Sequence, residues 1–150
     1  HKDLQLHLIG PLQSNKVKTA LKIFDVIQTI DRFSLVDEIY KQINNSSDHK
    51  TREYYIQVNI GEEQQKSGVF PDSLESLYTH CIKQSLNIIG LMCIPPFNKD
   101  STEYFQKMQV LNKKIGLQDL SMGMSSDYLT AVKYLSTYVR VGSSIFGQRS

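Results

Sequence analysis

A chain of 150 residues, 40% hydrophobic and 21% charged, has enough apolar content for a real core and is not of disordered composition. A net charge of +2, with Lys and Arg scattered along the chain, gives no electrostatic case for binding nucleic acid or an anionic membrane. The apolar runs fall far short of the ~20 residues a membrane helix needs.

In chain order, short apolar runs predict strands at Leu6–Ile9, Val26–Ile30, Tyr54–Ile60, Ile88–Ile94, Leu120–Met122 and Tyr138–Val141. Between them the apolar spacing changes to three and four, the period of a helix face. Val17, Ala20, Leu21 and Phe24 follow Ser14, a predicted N-cap, and Leu35, Val36, Ile39, Tyr40 and Ile43 make a second face. Leu74, Leu77, Tyr78, Cys81 and Ile82 follow Pro71, which suits a first helical turn. Tyr104, Phe105, Met108, Leu111 and Ile115 follow Asp100, with Glu103 placed for a reciprocal cap and Gly116 for a stop. Tyr128, Leu129, Val132 and Leu135 mark a last helix. The polar stretch from Asn44 to Arg52 reads as a solvated loop.

The strands are apolar on both faces, as in "IIGLMCI" (Ile88–Ile94), which suits parallel strands covered by helices. Strand then helix, repeated, means α/β, and an open sheet and a closed barrel both satisfy it. A unit of about 25 residues, close to the ~30 per unit of a (β/α)8 TIM-type barrel, favours the barrel. So do the polar or glycine residues ending nearly every strand: Gly10, Asp31–Arg32, Asn59, Pro95–Pro96, Gly123–Ser125 and Gly142–Ser143. About six units are present, so residues 1–150 are expected to form a single, incomplete barrel domain. Cys81 and Cys93 fall in a helix pattern and a strand pattern and are expected to be buried free thiols.

The last two units carry the chemistry. "LSMGMSSDY" (Leu120–Tyr128) and "RVGSSIFG" (Arg140–Gly147) each follow a strand and each offer glycines and hydroxyls. Barrels commonly hold a phosphate with the loops after their last two strands. Gly123, Met124, Ser125, Gly142 and Ser143 are therefore the candidate phosphate residues; ordinary helix capping is the alternative for the serines. If Val139 and Val141 face the helices, Arg140 faces the barrel interior, where an unpaired guanidinium is costly. It needs either a carboxylate or a ligand acceptor.

In the order in which they occur, "HLIGPLQSNK" (His7–Lys16), "TIDR" (Thr29–Arg32), "QVNIGEEQQKSG" (Gln57–Gly68), "GLMCIPP" (Gly90–Pro96), "LSMGMSSDY" and "YVRVGSSIFG" resemble the pyridoxal phosphate homeostasis protein family. That family's barrel is similar to the N-terminal domain of alanine racemase, and the resemblance covers essentially the whole chain. It implies that pyridoxal 5′-phosphate (PLP) sits at the carboxyl end of the barrel. The loop containing Ser125, with Gly142 and Ser143, would hold the phosphate, and Arg140 would face the pyridine nitrogen. Lys66, Asn59, His7 and Asn15 are auxiliary candidates near the pocket; a surface or packing role competes for each.

The resemblance further implies a cytoplasmic carrier or regulator of PLP supply, without turnover, that serves PLP-dependent enzymes and is mostly monomeric at full length. An amino-acid racemase of the alanine racemase type is the enzyme alternative, and a barrel for another phosphorylated metabolite is the third reading. An arginine at the ring nitrogen discourages its protonation and makes a poorer electron sink, which argues against transaminase-like chemistry. Two departures stand out: Ser143 where threonine is usual, and Leu135 where a glycine is common. The chain opens at what resembles strand three, so the family's covalent lysine on strand one is expected to be absent. Lys16 and Lys66 do not match that position. His1, His7, His49 and His80 show no metal spacing and no Ser-His-Asp arrangement.

Overall fold

The computed structural model describes residues 2–148, so His1 lies outside the described residues. Six strands alternate with helices: β1 (His7–Leu8), α1 (Val17–Ile23), β2 (Val26–Ile30), α2 (Phe33–Asn45), β3 (Glu53–Val58), α3 (Leu74–Lys83), β4 (Ile88–Cys93), α4 (Thr102–Lys114), β5 (Asp119–Met124), α5 (Tyr128–Lys133), β6 (Tyr138–Arg140) and α6 (Ser143–Phe146). All five neighbouring pairs are parallel, and the sheet runs β1 to β6 in sequence order. This is the strand order of a (β/α) barrel opened between β1 and β6.

One face of the sheet takes the helices. Ile27, Ile56, Val58, Leu91, Cys93, Leu120 and Met122 share a buried cluster with Leu21, Leu35, Ile39, Leu77, Cys81, Phe105 and Met108. The other face has its own small apolar cluster, Val26, Tyr55 and Met92, with Ile89 packed against it. Because successive strand residues point to opposite faces, strands buried on both sides read as unbroken apolar runs, as the sequence does.

The sheet curls around that second face. The His7 ring on β1 lies 5.1 Å from the Tyr138 ring on β6, though these are the outer strands. Tyr55 on β3 meets Tyr138 edge-on at 6.3 Å, and Ser121 on β5 is hydrogen-bonded to Gln28 on β2. The structure is an incomplete barrel with a lined interior.

Several local expectations are corrected. Ser14 is not the N-cap of α1: it opens a 3-10 turn, Ser14–Lys16, and its Oγ accepts from the Arg32 guanidinium at 3.4 Å. The reciprocal cap at α4 does not form. Asp100 Oδ1 accepts from the Thr102 amide at 2.8 Å, and Ser101 occupies the cap position. β3 ends at Val58 rather than Ile60, because Asn59 leaves the ladder and its amide donates to the Val69 carbonyl. β5 extends to Met124, two residues beyond its apolar run. Gly116 ends α4 as expected, at φ +76°, with Leu117 N–H reaching back to Asn112.

Candidate functional site

The loops after β5 and β6 meet. Asp127 caps the β5–α5 turn: its Oδ1 accepts from the Met124 amide at 2.7 Å, and its Oδ2 accepts from the Ser101 hydroxyl at 2.6 Å. The turn thus held presents Ser125 to the β6 loop, where its Oγ accepts from the amides of Gly142 (3.2 Å) and Ser144 (3.3 Å). Neither Ser125 nor Ser143 is the N-cap of its own helix: the N-caps of α5 and α6 are Asp127 and Gly142, and neither makes a side-chain cap bond. Ser125 instead serves amides at the start of α6 from the neighbouring loop.

The two glycines serve different purposes. Gly123 has φ +98°, and a Cβ there would come 2.6 Å from Ala131 Cβ, so it is glycine because α5 packs tightly on β5. Gly142 has no atom within 4 Å of an added Cβ. The space on its Cβ side is open, while its amide donates to Ser125 Oγ.

Arg140 points into the interior, as the alternation predicts. One guanidinium nitrogen donates to Ser121 Oγ and another to the Cys93 carbonyl, both at 2.7 Å. Among the described residues no carboxylate lies within ion-pair distance of it. Burial lowers its pKa, with Cys93 and Asp127 acting in the opposite sense. A half-buried cation held only by neutral acceptors retains donors and charge for a further partner.

Three interior residues were missed from the sequence. Gln28 and Ser121 link Arg140 to His7, whose Nδ1 lies 2.8 Å from Gln28 Nε2. Gln57 is 6% exposed and its Oε1 has no partner among the described residues, an acceptor left facing the interior beside Met92. Each is a lone polar residue inside an apolar strand run, and that was the available signal.

The remaining candidates fall elsewhere. Asn59 is spent on its own loop, donating to the Glu63 and Lys66 carbonyls and accepting from the Glu63 amide. Lys66 is paired with Glu63 at 3.0 Å. Asn15 is exposed in the Ser14–Lys16 turn, as is Lys16. Of the four auxiliary candidates, only His7 is joined to Arg140 by the hydrogen bonds described.

The residues present fit a phosphorylated, ring-bearing ligand: two converging hydroxyl-and-amide turns, an adjacent unpaired guanidinium and an orphaned acceptor. The fold and this cluster place the chain in the class of alanine-racemase-type (β/α) barrels, and the alanine racemase N-terminal domain family matches residues 2–150. Alanine racemase of Clostridium difficile superposes with a TM-score of 0.70 at 13% identity, covering 97% of this chain and 40% of that one, a likeness of fold alone. A pyridoxal phosphate homeostasis protein of Aquifex aeolicus is 36% identical over 157 residues, spanning 98% of this chain and 68% of the relative. The structure of PipY from Synechococcus elongatus without PLP superposes with a TM-score of 0.89 at 29% identity, over 98% of this chain and 73% of that one. PipY with PLP bound gives 0.83 at 30% identity, over 97% and 71%.

The chain belongs to the pyridoxal phosphate homeostasis protein family. It spans about two thirds of the length of the curated relatives it matches.

Proposed function

We propose that this chain binds pyridoxal 5′-phosphate at the carboxyl end of its strands and serves PLP homeostasis as a carrier or regulator without turnover of its own. The observation that carries the reading is the meeting of the Ser125 turn with the Gly142 and Ser144 amides, beside an Arg140 that has no carboxylate partner among the described residues. Gly123, Met124, Ser125, Gly142 and Ser143 would hold the phosphate, the anion taking over from Ser125 Oγ as acceptor for the Gly142 and Ser144 amides. Arg140 would donate to the ring, and Gln57 Oε1 stands as an acceptor on the same interior face. PLP supplies a reactive aldehyde on an electron-withdrawing ring. Holding it reversibly limits unwanted reaction and lets it pass to the PLP-dependent enzymes that need it, the partners this reading implies, in the cytoplasm. Among the described residues no helix is long and apolar enough to cross a membrane.

The test is calorimetric titration of the chain with PLP, pyridoxal and inorganic phosphate. PLP should bind, pyridoxal more weakly, and Arg140→Gln should weaken PLP binding by about tenfold or more, since a hydrogen bond to a charged group contributes about 1.5–3 kcal/mol. No binding of PLP would overturn the reading. Racemisation of alanine at enzymatic rates would overturn the absence of turnover alone.

A further inference from the structure

Four polar side chains form one unbranched hydrogen-bonded line through the barrel interior. It starts at Arg140 on β6, passes to Ser121 Oγ on β5 (2.7 Å), then to Gln28 Oε1 on β2 (2.5 Å), and ends with Gln28 Nε2 at His7 Nδ1 on β1 (2.8 Å). Gln28 is 1% exposed and Ser121 is fully buried, so water does not stand in for a lost member.

The chemistry of one end sets the direction of every bond. A guanidinium only donates. Ser121 Oγ therefore accepts from Arg140, and because a buried hydroxyl has to place its single proton, it donates to Gln28 Oε1, its one acceptor among the described residues. That fixes the Gln28 amide with its carbonyl toward Ser121 and its NH2 toward His7. His7 Nδ1 must then accept, and the imidazole proton sits on Nε2. An arginine on one outer strand dictates the tautomer of a histidine on the other.

We propose that Ser121 and Gln28 are positioning residues for Arg140, and that the neutral, Nε2-protonated form of His7 keeps Arg140 in place while protonation of His7 releases it. The proposal deepens the reading of Arg140 as the residue facing the PLP ring and rests on it. An imidazolium carries protons on both nitrogens, so Nδ1 can no longer accept from Gln28. The Gln28 amide must turn over, Ser121 then meets N–H donors from both sides, and its own proton loses its acceptor.

The groups around His7 are Asp25, which precedes β2, Glu53 at the start of β3, Gln28 on β2 and the Tyr138 ring on β6. Burial lowers the His7 pKa from its ordinary 6.5, against the raising effect of Glu53 and Asp25. A lowered histidine pKa means that the contribution of the line is present above 6.5 and is lost as pH falls through the folded value.

The experiment uses the chain with 15N-labelled His and Arg. At pH 7.5 the His7 ring should show the Nε2–H tautomer, and the Arg140 Nη–H signals should be resolved. Those arginine signals should broaden as His7 titrates. Ser121→Ala should broaden them at pH 7.5, release the His7 tautomer preference and lower PLP affinity about tenfold. In His7→Asn the side-chain oxygen replaces Nδ1 as acceptor and cannot be protonated. This variant should keep the Arg140 signals sharp across the acid range and remove the part of the acid loss of PLP affinity that follows His7, leaving only that due to the ligand phosphate's own titration. An Nδ1–H tautomer, an Arg140 spectrum indifferent to Ser121→Ala, or equal acid broadening in His7→Asn would each overturn the proposal. If PLP fails to bind while the His7 and Arg140 signals respond as stated, the proposed function falls and the positioning line stands.

Discussion

Cys81 and Cys93 are the two thiols of the chain, and neither is in a disulfide. Both are buried, Cys81 on α3 and Cys93 at the end of β4. Burial pushes each thiol up to about 12; the Arg140 charge draws Cys93 down, but burial outweighs it. The thiolate is the reactive form, so at pH 8 both should stay protonated and inert. A thiol-specific chromogenic reagent should therefore find almost no reactive thiol in the native chain and two after denaturation in urea. Rapid native labelling of Cys93 would mean that the helices part readily from the sheet. Arg140 teaches a similar lesson. Its orientation followed from strand alternation, whereas its neutral partners, Ser121 and the Cys93 carbonyl, come from strands 19 and 47 residues earlier.

The β5–α5–β6 segment shows how an element is closed against its own sequence. Leu135 has φ +65°, a left-handed conformation at the end of α5 that glycine adopts freely, and its side chain is 68% exposed. A left-handed non-glycine residue costs roughly 1–2 kcal/mol, and glycine gives back about 0.4–1 kcal/mol through the freer unfolded chain. Leu135→Gly should therefore stabilise the fold by about 0.5–1 kcal/mol, read as a higher urea midpoint at unchanged slope. A lower midpoint would show that Leu135 contributes packing that its exposure does not suggest. The element survives because Ser136 compensates. Its Oγ lies 2.7 Å from the Met122 carbonyl of β5 and 2.8 Å from the Tyr138 carbonyl of β6, the two acceptors sharing its single proton, and accepts from the Met122 amide at 3.2 Å, tying turn to sheet.

The whole molecule is a curled parallel sheet with two outer strands, β1 of two residues and β6 of three. Short edges limit strand addition without abolishing it. The exposed apolar side chains near β6, Leu129, Val132, Leu135 and Val139, add surface that favours association. Sedimentation velocity over a rising concentration series should show species heavier than the 17.2 kDa chain. A single monomer boundary throughout, with cooperative thermal unfolding, would show that the rings of His7 and Tyr138 close the barrel well enough on their own.

From the order of residues alone came the strand–helix alternation, the parallel sheet, the buried thiols, the inward Arg140 and the two serine-bearing loops. These are properties of local periodicity and of strands that must be buried on both faces, and such patterns are written along the chain. Helix starts were less legible: Ser14 and Glu103 have the right chemistry for caps, but the chain enters those helices through a 3-10 turn and through Ser101. The contact of Ser125 with Gly142 and Ser144, and the line from Arg140 to His7, were decided only by tertiary structure. The curl of the sheet brings side chains from β2 and β5, 93 residues apart, within a hydrogen bond. Periodicity carries no record of which distant polar residues a closed interior will force to satisfy one another.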